Sequence, residues 1–263
     1  MTAFKNVVVE SADPGIRIIK ISRPKALNAL NTETLRELRL ALEAEAQNEG
    51  TRVIILTGEG EKAFIAGADI AEMKDKDAQA GVEFAQLGHS VTKLLELMPK
   101  PTIAAVNGFA LGGGTEMAIA CDFIVASENA VFGQPEVSLG IIPGFGATLR
   151  LAKFVGWPMA KELIFSGRRI KADEALSIGL VNHVYPTGEL LPKTFELARS
   201  ISLNSRSAVE RSKSLLNDFS ESIGLNYKLD AEAQAFGQLF GTKDQREGMT
   251  AFVEKRKPTF QGL

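Results

Sequence analysis

The sequence of 263 residues predicts an α/β fold, and three observations support this class. Short apolar runs that are typical of strands alternate with segments of helical periodicity. Several runs are apolar at consecutive positions, as in strands that are covered on both faces. With 45% apolar and 24% charged residues, the chain can bury a large core and form one full domain with an appendage.

The strands of this core are predicted by short apolar segments that polar or turn residues bound. Between them, leucines and other apolar residues recur at helical spacing, and Pro99 and Pro101 end the second of these helices. The predicted strands are residues 16–22, 52–58, 102–108, 122–127 and 179–185, and the helical positions are Leu35, Leu38, Leu42, Phe84, Leu87, Val91, Leu94 and Leu95.

The C-terminal part of the chain has a different pattern. From about Leu190 the strand pattern stops, and helical segments follow at residues 189–201, 228–240 and 244–258. We therefore predict an α/β core over residues 1–190 and a helical region over residues 191–263. A helical tail of this kind packs either against a partner subunit or back onto its own core, and the sequence leaves both open.

Composition and charge exclude several classes of function. A formal net charge of −2 gives no general attraction to nucleic acid or to an anionic membrane, so we expect neither as a partner. The single cysteine, Cys121, cannot form an internal disulfide, which fits a reducing compartment. The first residues lack the apolar region of a signal peptide, and no run of about 18 apolar residues follows, so we expect a cytoplasmic protein.

The first motif that can carry chemistry is FALGGGTEMAIACD, residues 109–122. The longer run TIAAVNGFALGGGTEMAIACD, residues 102–122, reads as a strand, a tight glycine turn and a helix, with Gly112, Gly113 and Gly114 at or just before the first helical turn. Backbone N–H groups there are unpaired, and the helix dipole favours negative charge. The glycines therefore predict either close helix packing or a backbone donor to a ligand oxygen.

A second donor turn follows the strand at residues 52–58, in KAFIAGADI, residues 62–70. The small residues Ala66 and Ala68 leave the backbone accessible, and Asp69 is placed to cap the next helix. Two N–H groups that converge from separate turns form an oxyanion hole.

Two glutamates accompany these turns. Glu116 is either a solvated acid in the first turn of a helix or a reacting group beside the glycines. Glu136 lies in FGQPEVSLGIIPGFGATLR, residues 132–150, where it is either a surface turn residue or a buried acid suited to proton transfer. A further glycine-rich helix entry follows it at residues 143–146.

Other common active-site patterns do not occur. The sequence has no GxxxxGK[ST] or GxGxxG loop for phosphates and no GxSxG elbow. His89 and His183 are the two histidines, and no spacing of histidine and acidic residues predicts a metal site. We expect both histidines to be surface or packing residues.

Taken together, five motifs resemble the enoyl-CoA hydratase/isomerase family, the crotonases, and within it most resemble the short-chain enoyl-CoA hydratases. The resemblance runs from about Asn6 to Pro258 and implies a spiral of ββα units with a helical C-terminal region, assembled as a trimer or a dimer of trimers. The motifs are RPKALNAL, KAFIAGADI, AAVNGFALGGGTE, FGQPEVSLGIIPGFG and KADEALSIGLVNHV, in this order.

The resemblance also implies the site. Ala68 and Gly113 match the oxyanion-hole donors, Glu116 and Glu136 match the two catalytic acids, and Gly144 matches the backbone position beside the catalytic water. Thr115, Ala147 and Leu149 depart from the usual cysteine, glycine and glutamine of the family, but they remove no proton-transfer group. The positions that match the CoA site are Lys25, Ala26, Leu27, Ala66, Asp69 and Ile70, together with Phe252 and Lys255, which match residues that reach the CoA of a neighbouring subunit.

The implied reaction is the reversible addition of water to trans-2-enoyl-CoA, which gives 3-hydroxyacyl-CoA, in fatty-acid β-oxidation or a short-chain acyl-CoA pathway. Coenzyme A is part of the substrate, and we expect no separate cofactor. Glu116 is interpreted as the base that orients the water and Glu136 as the acid at C2, although a close pair titrates jointly and the roles can be exchanged.

Two other functions are compatible with the family. Δ3,Δ2-enoyl-CoA isomerases typically lack one of the two acids, whereas this sequence has both. An RNA-binding member of the family needs a basic stripe, but NSRSAVERSKSLL, residues 204–216, alternates charges instead.

Overall fold

The computed structural model describes residues 4–204, 206–220, 229, 233–234 and 236–258. In chain order the strands among these residues are β1 Val7–Asp13, β2 Ile16–Ile21, β3 Val53–Gly58, β4 Ala63–Ile65, β5 Thr102–Val106, β6 Phe109–Leu111, β7 Phe123–Ser127, β8 Val131–Gly133, β9 Arg169–Lys171 and β10 His183–Tyr185.

The helices of the described residues follow the strands in the order that an α/β fold requires. They are α1 Thr32–Gln47, α2 Ile70–Met73, α3 Ala78–Leu97, α4 Gly113–Ile119, α5 Ala147–Ser166, α6 Ala172–Ser177, α7 Leu190–Ser202, α8 Arg206–Ser220 and α9 Lys243–Val253, with short 3-10 helices at Pro24–Ala26, Pro135–Leu139 and Thr187–Glu189.

Within the described part of the chain the strands form two sheets. The large sheet has the order β1-β2-β3-β5-β7-β10, and the small sheet has the order β4-β6-β8-β9. The strands from β2 to β10 in the large sheet are parallel, and so are β4, β6 and β8, whereas β1 and β9 are antiparallel edge strands. From β3 to β8, successive strands enter the two sheets alternately, so the chain winds as a spiral of ββα turns.

Each face of the large sheet is covered. The main core fills the space between this sheet, the small sheet and helices α1, α3 and α4. On the opposite face, Ile18, Val53 and Ile103 pack with Leu190 and Ala198 of α7. This packing explains why the central strands are apolar at consecutive positions.

The large sheet confirms most of the predicted strands, and the last one is shorter than predicted. The segment 179–185 forms a strand only over His183–Tyr185, because Gly179 has φ +78° and ends the turn after α6. Strands β4, β6, β8 and β9 were not predicted, since three residues are too few to show a period. Strand β1 was not predicted; four of its seven residues are exposed and only Val7 is buried.

The described C-terminal segments are helical, as predicted. Helix α7 folds back onto the chain's own sheet, and α9 packs against Pro135–Leu139 and α2. The predicted helix at residues 228–240 lies partly outside the described residues, but 229, 233, 234 and 236–239 are helical. Among the helices described, none has the length and apolar character needed to cross a membrane.

Candidate active site

The glycine run starts helix α4, and the structure requires glycine at Gly112 and at Gly114 for two different reasons. Gly112 is the N-cap with φ +51°, and its position next to Glu136 leaves no room for a side chain, because a Cβ there would lie 2.8 Å from Glu136 Oε1. At Gly114 a Cβ would lie 1.9 Å from the carbonyl oxygen of Ile65 in β4. The run therefore lets α4 pack closely on the small sheet, as well as starting the helix beside a carboxylate.

The two predicted oxyanion donors border the same cavity, which has a volume of about 540 Å³. The amide of Leu30 donates to the carbonyl oxygen of Gly67 at 2.8 Å, and the carbonyl oxygen of Leu30 accepts from the amide of Asp69 at 2.8 Å. Because the carbonyl of the Gly67–Ala68 peptide points toward Leu30, the N–H of Ala68 in the same peptide points away from it. Gly113 is the first residue of α4, where no carbonyl of a preceding turn can accept from its amide. Neither amide donates to another residue that the structure describes.

Glu116 lies in the first turn of α4 and is 2% exposed. Its Oε1 accepts hydrogen bonds from the amides of Phe145 at 2.8 Å and Ala147 at 3.0 Å. The amide of Phe145 belongs to the predicted glycine-rich entry to α5 and that of Ala147 to the first residue of the helix, so the start of α5 holds the carboxylate. The interpretation of Glu116 as a solvated surface acid is wrong.

Glu136 lies on the 3-10 helix Pro135–Leu139 and is 7% exposed, so the interpretation as a surface turn residue is also wrong. The side-chain amide of Gln134, in the orientation that satisfies both of its ends, donates to Glu136 Oε1 at 2.9 Å and to Oε2 at 3.1 Å. Strand β8 ends at Gly133, so the small sheet places Gln134 and Glu136 at the end of the strand beside β6. Glu116 and Glu136 border the same cavity.

The rest of the cavity wall is mainly apolar. The rings of Phe84 and Phe145 pack in a tilted arrangement, with a centroid distance of 5.5 Å, and border the cavity together with the carboxylates. Gly144 borders the cavity as predicted, and its missing side chain admits the ring of Phe236, which a Cβ there would approach to 2.7 Å. Apolar walls exclude water and strengthen the electrostatic effect of every donor and carboxylate inside.

The structure brings most of the predicted binding residues to this cavity. Lys25 and Lys255 are exposed residues outside its lining, so their proposed contacts with CoA remain predictions. Phe252 lines the cavity of its own chain, whereas the resemblance assigned it to the CoA of a neighbouring subunit. The predicted residues that line the cavity here are Ala26, Leu27, Ala66, Asp69, Ile70 and Phe252.

One local prediction was wrong. Asp69 does occupy the N-cap position of α2, but its side chain makes no capping hydrogen bond. It forms an ion pair with Arg23 instead, at 2.9 Å between Arg23 Nη2 and Asp69 Oδ2. A charged guanidinium is a stronger partner than a single amide at the end of a four-residue helix.

Several residues of the site were not found from the sequence. Gln134 and the amides of Phe145 and Ala147 hold the two glutamates, and Arg169 places a cation at the cavity wall. The glycine-rich entry to α5 was the one available signal for the amides. Gln134 lies inside the motif that carries Glu136, and Arg169 lies just before the motif that starts at Lys171, but neither follows a pattern of its own.

The fold and the site define the class of protein: the chain belongs to the enoyl-CoA hydratase/isomerase family, whose model matches residues 11–262. It is 50% identical to the short-chain-enoyl-CoA hydratase of Clostridium acetobutylicum, with 97% of each chain covered. It is 48% identical to the crotonyl-CoA hydratase of Syntrophomonas wolfei, with 98% of each chain covered. These matches confirm the predicted family.

Solved structures agree with the fold. The crystal structure of an enoyl-CoA hydratase from Bacillus anthracis matches with a TM-score of 0.80 and 40% identity, covering 98% of this chain and 100% of that one. An enoyl-CoA hydratase structure from Mycobacterium avium subsp. paratuberculosis matches with a TM-score of 0.86 and 28% identity, again covering 98% and 100%. The predicted spiral with its helical C-terminal region is thereby confirmed.

Proposed function

We propose that this protein is an enoyl-CoA hydratase, which adds water reversibly to trans-2-enoyl-CoA to give 3-hydroxyacyl-CoA. One observation carries the proposal: two buried carboxylates, Glu116 and Glu136, border the same apolar cavity as the amides of Ala68 and Gly113. Hydration of an enoyl thioester needs both elements, a site for negative charge on the thioester oxygen and groups that move protons at C2 and C3. The full-length hydratase relatives support the same reaction.

The two amides act on the charge that develops during the reaction. When water attacks C3, electron density moves through the double bond to the thioester oxygen, which becomes enolate-like. The N–H groups of Ala68 and Gly113 donate to this oxygen, and the start of α4 adds the positive end of its dipole. Because the donors are fixed by the backbone, they need no reorganisation when the charge appears.

The two carboxylates act on the protons. Glu116 takes the proton of the attacking water as the O–C3 bond forms, and Glu136 delivers a proton to C2 as the double bond is lost. The amides of Phe145 and Ala147 fix Glu116, and Gln134 fixes Glu136. The reverse assignment uses the same geometry, and the pair titrates as a unit. Hydration exchanges no electrons with an external group, so the reaction balances without a separate cofactor.

We also propose a short acyl chain for the substrate. The rings of Phe84, Phe145 and Phe236 border the cavity. The relatives named for short-chain-enoyl-CoA and crotonyl-CoA point to the same substrate length. The corresponding pathway is fatty-acid β-oxidation or a short-chain acyl-CoA pathway.

The assembly and cellular location follow the same proposal. We assign the chain to a homotrimer or a dimer of trimers, in which Lys25 and Lys255 reach the phosphates and nucleotide of the CoA. A cytoplasmic location fits the single cysteine, Cys121, which is buried. Light scattering tests the assembly, and a stable monomer at micromolar concentration would contradict it.

The reaction itself is tested with crotonyl-CoA. We expect loss of the absorbance of the conjugated enoyl thioester and a product with the mass of 3-hydroxybutyryl-CoA. A panel of trans-2-enoyl-CoA esters from C4 upward should show kcat/KM decreasing with chain length. Turnover of a 3-enoyl-CoA without hydration would favour an isomerase, and a salt-dependent gel shift with RNA and no turnover would favour an RNA-binding protein.

A further inference from the structure

Arg150 is a buried cation that the reaction does not use directly. It lies in the first turn of α5 and is 1% exposed. A buried guanidinium is stable only when its donors are paired, and here they are. Nε and Nη2 donate to Glu96 Oε2 at 3.0 and 2.7 Å, while Nη1 donates to the carbonyl oxygen of Phe145 at 3.1 Å and more weakly to Thr92 Oγ1 at 3.4 Å.

The contact with Phe145 connects Arg150 to the site. The amide of Phe145 donates to Glu116 Oε1 at 2.8 Å, and its carbonyl accepts from Arg150. The hydroxyl of Thr92 donates to the same carbonyl at 3.3 Å. The segment from Phe145 to Ala147 is thus held by charged and polar groups of α3 and α5 on one side, and presents two amides to Glu116 on the other.

Gly146 gives a second, independent sign that the guanidinium and this segment are fitted to each other. It has φ +114°, and a Cβ there would lie 2.0 Å from Arg150 Nη1. The missing side chain lets the guanidinium lie directly against the backbone that holds Glu116. Any other residue would push the two apart or change the direction of the amides.

We infer that Arg150, oriented by Glu96, is a positioning residue for the hydratase reaction: it fixes the backbone of Phe145 to Ala147 so that both amides hold Glu116 toward the substrate. This role rests on the proposed function. It acts through Glu116 alone, since Arg150 itself contacts backbone, Thr92 and Glu96 rather than the cavity that holds the substrate. A small displacement of a reacting group is enough to cost about 100-fold in rate.

The test compares Arg150→Met with a matched control, Lys213→Met. Lys213 is also a buried cation that binds one carboxylate, Asp122, and two backbone carbonyls, but none of its contacts reaches Glu116. We expect both variants to lose stability, while only Arg150→Met lowers kcat on crotonyl-CoA, by about 10- to 100-fold with an unchanged KM. Arg150→Lys keeps the charge opposite Glu96 and should recover part of the lost kcat.

A Glu116→Gln background separates positioning from a general structural effect. If Arg150 acts through Glu116, Arg150→Met should lower kcat no further in that background. Three results would each overturn the inference. The first is a wild-type kcat in Arg150→Met, and the second is an equal loss of kcat from Arg150→Met in the wild-type and Glu116→Gln backgrounds. The third is a loss of kcat in Lys213→Met that equals the loss in Arg150→Met. If Arg150→Met fails to fold, Arg150→Lys is compared in the wild-type and Glu116→Gln backgrounds instead, and this comparison shows whether Arg150 acts through Glu116. A wild-type protein inactive on crotonyl-CoA would instead refute the proposed function, and the role of Arg150 with it.

Discussion

Two carboxylates lie near the two ends of helix α4, the buried Glu116 and the half-buried Asp122, and they are held in different ways. At its start, Glu116 accepts from the backbone amides of Phe145 and Ala147. Three residues beyond its end, Asp122 forms an ion pair with Lys213, at 2.8 Å, and accepts from the amide of Thr102 at 2.7 Å. The carboxylate at the start of this short helix therefore accepts from backbone amides, and the one that follows its end is paired with a full positive charge.

Access to a cavity does not distinguish the two carboxylates. Asp122 and Lys213 border a second cavity of about 790 Å³, which is larger than the one beside Glu116. Burial raises the pKa of Asp122, and the nearby Lys213 acts in the opposite direction. Lys213 also donates to the carbonyls of Leu95 and Lys100, and so joins the end of α3 to the end of α4. The donors therefore distinguish the two carboxylates: backbone amides hold Glu116, for which we propose proton exchange, and a cation holds Asp122.

The largest effect is expected at the two glutamates of the first cavity. Glu116→Gln and Glu136→Gln keep the shape of each side chain but remove the group that takes or gives a proton. General acid–base steps contribute about 10²- to 10⁴-fold, so each variant should lose at least about 100-fold in kcat on crotonyl-CoA. The double variant should lose less than the product of the two, because both groups act on one reaction step.

Unfolding curves and binding of the saturated analogue butyryl-CoA serve as controls for these variants. Both should match the wild type, because an amide fills the same space as a carboxyl group. Near-wild-type hydration by either single variant would show that the reaction does not use two acids.

The next largest effect is expected at Gly113, where the structure makes a proline substitution informative. Gly113 is the first residue of α4, and proline is well accepted at the first position of a helix. Gly113→Pro therefore removes one oxyanion donor while the helix can still start there. Loss of one such donor costs about 10²- to 10³-fold in kcat. Circular dichroism must show a folded variant, and unchanged hydration by it would exclude the Gly113 amide as a donor.

The opposite end of α4 is expected to respond in stability and not in rate. Lys213→Met leaves the half-buried Asp122 without its cation, and we expect this to destabilise the protein by less than the roughly 3 kcal/mol that is typical of a fully buried pair. Urea unfolding measures this loss, while kcat on crotonyl-CoA should stay unchanged. If Lys213→Met is as stable as the wild type, or if its kcat is strongly reduced, then the Asp122 end of α4 does not act on stability alone, and the comparison of the two ends is wrong.

The stability loss in Lys213→Met should depend on pH. Burial raises the folded-state pKa of Asp122 above its unfolded value, which is about 3.9, so the cost of the unpaired charge is present above the folded pKa. As the pH falls from 7 toward 4, Asp122 takes up a proton and the cost disappears. The stability difference between wild type and variant should therefore narrow on acidification, and a gap that is constant with pH would show that Asp122 is not the group responsible.

The sequence predicted the strands of the large sheet well and those of the small sheet poorly, for a physical reason. The segments 52–58 and 102–108 form central strands that are buried on both faces, so every residue contributes to an apolar run. Strands β4, β6 and β8 are three residues long and end at the residues of the site. These strands were therefore missed, although the glycine and glutamate motifs that follow them were found.

Within the site, the reacting groups were predicted and the groups that hold them were not. Glu116 and Glu136 stand beside distinctive glycines and prolines, whereas their contacts with Phe145, Ala147 and Gln134 join residues up to 31 positions apart. Such contacts depend on how α4, α5 and the small sheet pack together. The same applies to Lys213 and Asp122, which are far apart in the sequence and meet only in the fold.

The smallest effect is expected at Cys121, which lies beside Asp122 at the structural end of α4. Burial, and secondarily the charge of Asp122, raises the pKa of this thiol to about 12, so at pH 8 only on the order of 1 in 10⁴ molecules carries the reactive thiolate. Cys121→Ala should leave kcat unchanged, and 5,5′-dithiobis(2-nitrobenzoate) should label the native protein only through opening of the fold. Lys213→Met then provides the decisive comparison. Without the lysine, the thiolate becomes still less favourable in the folded protein, yet opening becomes more frequent, so faster labelling in this variant shows that the reaction proceeds through the open state. Rapid labelling of the folded wild type, accompanied by loss of hydration, would mean that this end of the helix is accessible and coupled to the site.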